Sequence, residues 1–410
     1  MPQTLQDAVE ITRSLDVRYL WIDALCIIQV KEGKNEDWQR ELSDMGKIYK
    51  HSLFTIAASS ARNSNAGLFY RTEASRWPVQ DYHLVDKDGP HNSETLTLRP
   101  TLPSWDVSVE QSELSSRGWV LQERYLASRT LFWTDDGLFW QCGEMCLSEC
   151  EGTPLNNRVL GTIHEVADRI RDYRIDESSR IAWLHVLRAF SRKKFTVETD
   201  RLPAVEGLMS ELSRLTGRHY ELGVWKHNLI FELAWMVDLS VSNGDDPSDS
   251  RVARLPGIPS WSWGSVNQEL RFGCLRAREN RELALNASIH AHEVRIRARM
   301  GYLHLRKMDI EDGVPVKPKT VHMPGKTANE LAIFDASADA LPAEGGTIKC
   351  IAWLGWKYRS QDNVDMIIGA MMITPVDQER KIYRRIGWVE LVELVGEGLF
   401  GTEYQDITLV

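Results

Sequence analysis

The sequence predicts an α/β fold: a parallel sheet with helices on both faces, then a mainly helical middle region and a β-rich C-terminal region. Three observations carry this. Two short apolar runs without alternating polarity, Tyr19-Leu20-Trp21-Ile22 and Leu53-Phe54-Thr55-Ile56-Ala57, are separated by amphipathic helices, the pattern of strands buried on both faces of a parallel sheet. Residues 160 to 240 carry helical periodicity. From about residue 290 onward, short apolar strands alternate with polar loops.

The elements follow in chain order. Thr4 and Asp7 have capping-box spacing, and Leu5, Ala8, Val9 and Thr12 form one helical stripe, so a helix is expected to run to about Leu15. The strand Tyr19 to Ile22 comes next. Asn35 is the expected cap of a second helix; Glu36 and Asp37 suit its positive end, and Trp38, Leu42, Met45 and Tyr49 recur at helical spacing. After the strand at Leu53 to Ala57 the rhythm is lost from Ala61 to Leu114, where residues 84 to 96 are polar. It resumes with Ser115 and Ser116 as caps, a helix from Trp119 to Leu126, and strands at Thr130 to Trp133 and Leu138 to Trp140. Loops are expected at Ser242 to Ser250 and at 310 to 330. The late strands are Val294 to Ala298, Thr347 to Leu354, Met366 to Ile373 and Trp388 to Val395. The regions are thus 1–150, 151–270 and 271–410.

Composition narrows the function. An apolar fraction of 43% and a charged fraction of 26% are those of a globular protein, and 410 residues can bury a large core. Trp, at 15, outnumbers Tyr at 11 and Phe at 10, so indoles are expected in many packed positions. A net charge of −9, with no basic cluster longer than Ser191-Arg192-Lys193-Lys194, argues against nucleic acid as partner. No apolar run approaches the length of a membrane span, and no secretory signal stands at Met1. The expected compartment is reducing, cytoplasmic or nuclear, with no membrane partner.

Several motifs now point to one family. Pro2-Gln3-Thr4-Leu5-Gln6-Asp7-Ala8 and Arg18-Tyr19-Leu20-Trp21-Ile22-Asp23-Ala24-Leu25-Cys26-Ile27-Ile28-Gln29 resemble the opening of the fungal heterokaryon-incompatibility (HET) domain. So do Asp37-Trp38-Gln39-Arg40-Glu41, Met45, Ile48-Tyr49 and Thr55-Ile56-Ala57-Ala58. Arg117-Gly118-Trp119-Val120-Leu121-Gln122-Glu123-Arg124 resembles that domain's second signature. Asp200-Arg201-Leu202-Pro203-Ala204 and Pro259-Ser260-Trp261-Ser262-Trp263-Gly264-Ser265 resemble segments that follow it. Members usually open with a Tyr-x-Ala-Leu-Ser-Tyr-x-Trp-Gly strand ahead of the Pro-Gln-Thr helix; this sequence starts after it, as a truncated or reduced form would. HET domains are in turn similar to Toll/interleukin-1-receptor (TIR) domains, which are flavodoxin-like and in many cases cleave NAD with a Glu in a Ser-x-Trp-Cys-x-x-Glu helix. Ser116, Trp119 and Glu123 resemble that pattern, although Ser116 is one residue too far from Trp119 and Val120 replaces the Cys.

The resemblance makes Glu123 the catalytic candidate, with Trp119, Asp23 and Ser116 binding substrate. Trp119 and Glu123, four residues apart, share a helix face. Loss of nicotinamide develops positive charge on the ribose, which a carboxylate stabilises, while an indole offers a stacking surface. The competing structural reading makes Trp119 core and pairs Glu123 with Arg117 or Arg129. Asp23 follows an apolar strand, where open parallel sheets bind ligands, or else it caps the next turn. Ser59 and Ser60 carry the same ambiguity. Cys142, Cys146 and Cys150 lack the paired spacing and nearby His of a zinc site, and Asp168 stands where a zincin motif at His164-Glu165 needs its second His. No metal is expected. Gly396-Glu397-Gly398-Leu399-Phe400-Gly401 spells a dinucleotide fingerprint but reads as a turn between strands.

Two readings result. The resemblance implies self/non-self recognition and programmed cell death, through NAD cleavage with NAD as substrate and no bound cofactor. The alternative is a non-catalytic interaction module on the same fold, engaging a protein partner or assembling with itself.

Overall fold

The computed structural model describes residues 1–28, 36–69, 80–84, 94–98, 104–149, 163–172, 177–238, 254–276, 280–305, 320–322, 330–334, 347–359, 364–392 and 400–410. The expected Asn35 cap, the loop at 242–250, Cys150 and the glycines at 396 and 398 lie outside them. The chain divides into two compact units, Met1–Thr162 and Ile163–Val410.

The first unit opens with α1 (Gln3–Ser14), which buries Thr4, Asp7, Ala8, Ile11 and Thr12. Pro2 is its N-cap, so Thr4 and Asp7 do not form the expected capping box. They anchor the later loop instead: the Thr4 hydroxyl donates to the Asn63 carbonyl, and the Asp7 carboxylate accepts from the Leu68 N–H at 2.6 Å. The stretch 17–22 is a correction. It lies in no strand ladder, and neither Trp21 nor Phe54 belongs to a strand. It leads into the single turn α2 (Asp23–Cys26).

Next come α3 (Glu36–His51) and β1 (Thr55–Ala57), the hairpin β2 (Gln80–Leu84) and β3 (Glu94–Leu98), and then α4 (Gly118–Leu126), β4 (Arg129–Thr134), β5 (Gly137–Cys142) and β6 (Cys146–Ser148). β1 pairs with β4 in parallel, whereas β4, β5 and β6 are antiparallel. The sheet is therefore mixed, not the expected parallel one. The cause is local. Gly137 has φ +123°, and the Thr134 hydroxyl donates to the Gly137 carbonyl and accepts from the Asp136 N–H, closing a tight hairpin that reverses the chain.

The second unit begins with α5 (Ile163–Arg171), α6 (Glu177–Ser191) and α7 (Pro203–Thr216), the last ended by left-handed Gly217. The hairpin β7 (Tyr220–Glu221) and β8 (Val224–Trp225), the turn α8 (Leu229–Glu232), and the paired β9 (Trp235–Val237) and β10 (Leu270–Phe272) interrupt the helical middle. The C-terminal region is β-rich, as expected: β11 (Asn280–Glu282), β12 (Leu285–His290), β13 (Glu293–Leu305), β14 (Thr320–His322), β15 (Glu330–Phe334), β16 (Thr347–Arg359), β17 (Val364–Asp377), β18 (Ile382–Val392) and β19 (Phe400–Leu409). β14 falls inside the stretch expected to be a loop.

β13 pairs with β16, β16 with β17, β17 with β18, β18 in parallel with β19, and β19 with β13, so the ladder closes on itself. The closing β18–β19 contact is short, made at Ile382–Thr408 and Tyr383–Leu409. Leu303, Ile348, Cys350, Ala370, Met372 and Val389 are among the side chains of its apolar cluster. The abundance of Trp is explained here: Trp183, Trp225, Trp235, Trp261, Trp263, Trp353 and Trp388 are all fully buried in this unit.

The segments Asp200–Ala204 and Pro259–Ser265 meet in this core. Buried Arg201 lies 5.8 Å from the Trp263 ring and donates to the Ser191 and Gln268 carbonyls. A side chain at Gly264 would come within 2.6 Å of Leu202. Both segments pack the core of the second unit. No helix among the described residues is long and apolar enough to cross a membrane.

Candidate functional site

The first unit holds a cavity of about 790 Å³, within the range of small-molecule sites. Its walls come from α1, the stretch 17–23, the last turn of α3, β1, and the face of α4 carrying Arg117, Val120 and Glu123.

Arg124 fixes α4 in place. Its guanidinium makes a two-pronged pair with Glu110 at 2.6 and 2.8 Å and donates to Gln141 on β5. It also lies over the Trp105 and Phe132 rings at 5.5 and 5.4 Å. The Trp105 indole N–H donates to the same Glu110 carboxylate. A forked, mostly buried pair of this kind holds geometry as well as charge. The residue before it, Glu123, is thereby held against the cavity.

Glu123 retains a little accessible surface, but its carboxylate is enclosed by protein atoms. Burial raises its pKa from the ordinary 4.5 to about 7. The Asp23 carboxylate pushes the same way; the Arg117 guanidinium and a hydrogen bond from Tyr49 pull back. Desolvation and the two carboxylates hold the Tyr49 phenol far above its usual range, so it stays protonated and donates to Glu123. The Trp21 ring meets Tyr49 edge-on at 5.8 Å. Asp23, half-buried at the start of α2, accepts the Ala24 N–H at 2.7 Å. It is a turn residue and a cavity residue together, although no strand precedes it.

Of the four side chains singled out from sequence, Glu123 and Asp23 line this one cavity. Trp119 and Ser116 are not among its lining residues. The Ser116 hydroxyl donates to the Glu113 carbonyl. Trp119 is half-buried, and helix geometry explains its absence: the cavity face centres on Val120, and Trp119 stands about 40° past Glu123 on the far side. Neither anticipated ion pair with Glu123 is made: the Arg129 guanidinium donates to the Leu53 carbonyl, and Arg117 acts on Glu123 only through its charge. Ser59 and Ser60 hydroxyls are buried without a hydrogen-bond partner among the described residues, outside the lining. Sequence reasoning missed Tyr49 as a site residue because its helical spacing marks it as core. Its place beside Ile48 in a stretch that resembles the HET domain is the available signal. No group of residues suited to hold a metal occurs among the described residues.

The cavity thus presents a carboxyl that ionises near neutrality, a second carboxylate, a phenol donor and an indole. Such a set can stabilise a developing cation. Residues 1–123 match the family model described as Heterokaryon incompatibility protein (HET), a match that ends on Glu123. No curated protein and no solved structure matches the chain. Residues 1–123 of the chain are therefore a HET domain.

Proposed function

We propose that the protein acts in fungal self/non-self recognition and cell death by hydrolysing NAD in the cavity of its HET domain, in the manner of a TIR-like domain. The observation that carries this reading is Glu123, enclosed in a cavity of suitable size, with Asp23 and Tyr49 beside it. In the reaction the bond between ribose C1 and the nicotinamide nitrogen breaks, and its electron pair leaves with nicotinamide. Water adds to the ribosyl cation and loses a proton, giving ADP-ribose. Ionised Glu123 stabilises the cation and accepts from the ribose hydroxyls; Asp23 adds negative potential. With a pKa near 7, the active ionised form of Glu123 grows as pH rises through neutrality.

The test is nicotinamide release by the purified full chain. Glu123→Gln removes the charge and keeps the shape, so release should fall by about a hundredfold or more. Equal release from wild type and variant defeats the reading. The second reading, a non-catalytic module for a protein partner or self-assembly, draws on the exposed apolar side chains Tyr19 and Leu53 at the cavity and Leu25 and Ile28 next to it. It expects no release from either protein.

A further inference from the structure

We infer that this cavity carries an anion subsite formed by Arg18 and Arg117, and that its ligand bears phosphate groups. The inference rests on the cavity being the ligand site of the proposed reaction, and adds which residues hold the phosphate groups of its ligand.

The argument begins with the cationic side chains in the cavity wall: Arg18, His51, Arg117 and Arg124. Two are already committed. Arg124 is tied to Glu110 and Gln141, and a His51 ring nitrogen is bonded to the Lys47 carbonyl at 2.9 Å. Arg18 and Arg117 differ. Among the described residues neither guanidinium makes a hydrogen bond or ion pair; that of Arg18 rests over the Tyr19 ring at 5.5 Å. Both line the cavity and are exposed to solvent.

The carboxylates in the same wall form no ion pair with them, although Arg117 acts on Glu123 through its charge. Asp23 is engaged with the Ala24 N–H, and Glu123 with the Tyr49 hydroxyl. A third feature points the same way. Thr55 lines the cavity, and its hydroxyl is buried with no hydrogen-bond partner among the described residues. An uncommitted donor in a cavity wall is costly unless a ligand or water completes it. Two forked cations and a hydroxyl donor are the groups that bind phosphate oxygens, and forked recognition of phosphate is what guanidinium groups do best. A neutral riboside would leave all three unused.

The experiment titrates inorganic pyrophosphate into the full chain by calorimetry. The proteins are wild type, Arg18→Gln, Arg117→Gln, the double variant, and Arg13→Gln, which changes an exposed arginine on α1 outside the cavity. Wild type should bind, and each cavity substitution should weaken binding about tenfold, the loss of one charge-assisted contact. Higher salt should weaken wild-type binding more than that of the double variant. Melting temperatures should stay alike, since among the described residues neither side chain is bonded to the fold. The inference is overturned if wild type does not bind, if the double variant binds as tightly, or if Arg13→Gln weakens binding equally. Nicotinamide release is scored separately. Arginine-dependent pyrophosphate binding without release keeps the subsite and removes the NAD reaction. Release with an unchanged KM in the double variant keeps the reaction and removes the subsite.

Discussion

The Tyr49 hydroxyl on the last turn of α3 donates to the Glu123 carboxylate on α4, joining two helices inside the cavity wall. The bond does two things. It aims the carboxylate, and it stabilises the ionised form against the burial that opposes it.

The first prediction concerns stability and pH. Glu123 holds its proton more tightly folded than unfolded, because burial and Asp23 raise its pKa to about 7. Its contribution is therefore fully present below the unfolded value of 4.5 and is lost as pH rises through 7. The loss amounts to about 3 kcal/mol at most. Urea unfolding at about pH 5 and pH 8 should show wild type losing more stability than Glu123→Gln, which has nothing to ionise. Parallel losses would contradict the buried carboxyl.

Tyr49→Phe removes the donor and leaves the ring packing on Trp21 intact. The expected cost is about 1 kcal/mol, that of one hydrogen bond. Losing a bond that lowers the Glu123 pKa must raise it further, so the acid limb of any nicotinamide release should move to higher pH. A pH–rate profile of the variant that overlays wild type would separate Tyr49 from the site.

In the second unit, Arg385 is fully buried, with its guanidinium 3.5 Å from the centre of the Trp235 ring. It donates to the Leu233 carbonyl at 2.8 Å and to the Trp235 carbonyl. Arg385→Met should cost about 3 kcal/mol or more, because two buried carbonyls lose their donor. Chemical denaturation followed by Trp fluorescence measures this; a loss below about 1 kcal/mol would mean that water replaces the guanidinium.

Gly223 sits in the β7–β8 turn at φ +84°, and an added Cβ would stand 2.7 Å from the Trp263 ring. Gly223→Ala combines backbone strain with a clash against a buried indole. About 2 kcal/mol or more of destabilisation is expected, visible as a lower melting temperature.

How much of this was legible in the sequence depends on range. Helical stripes placed α1, α3 and α4 closely, because amphipathic periodicity is a local property. The Tyr19 to Ile22 run read as a strand because apolarity identifies burial, not ladder pairing, and only the fold decides whether a neighbour pairs. Asp135-Asp136-Gly137 is a hairpin-turn signal that reverses the chain, which makes the sheet mixed where the apolar runs alone predict a parallel one. Within the site, Glu123 could be found from its motif. The Tyr49 contact joins residues distant in the chain and could not. Trp119 falls outside the cavity lining by a small angle: a shared helix face at i and i+4 is wide enough to hold one residue in the cavity and the other outside.

The closed ladder of the second unit bears on how the chain is made. β13 finishes its circuit only when β19 arrives, after a long intervening stretch of chain. During synthesis, β13 and β18 leave the ribosome with their partner β19 still unmade. Pairings this distant in sequence form slowly, and incomplete sheets attract other chains. The growing polypeptide therefore passes through a window of stickiness that ends abruptly when β19 docks. Chaperone demand in the producing cell should be greatest just before that moment.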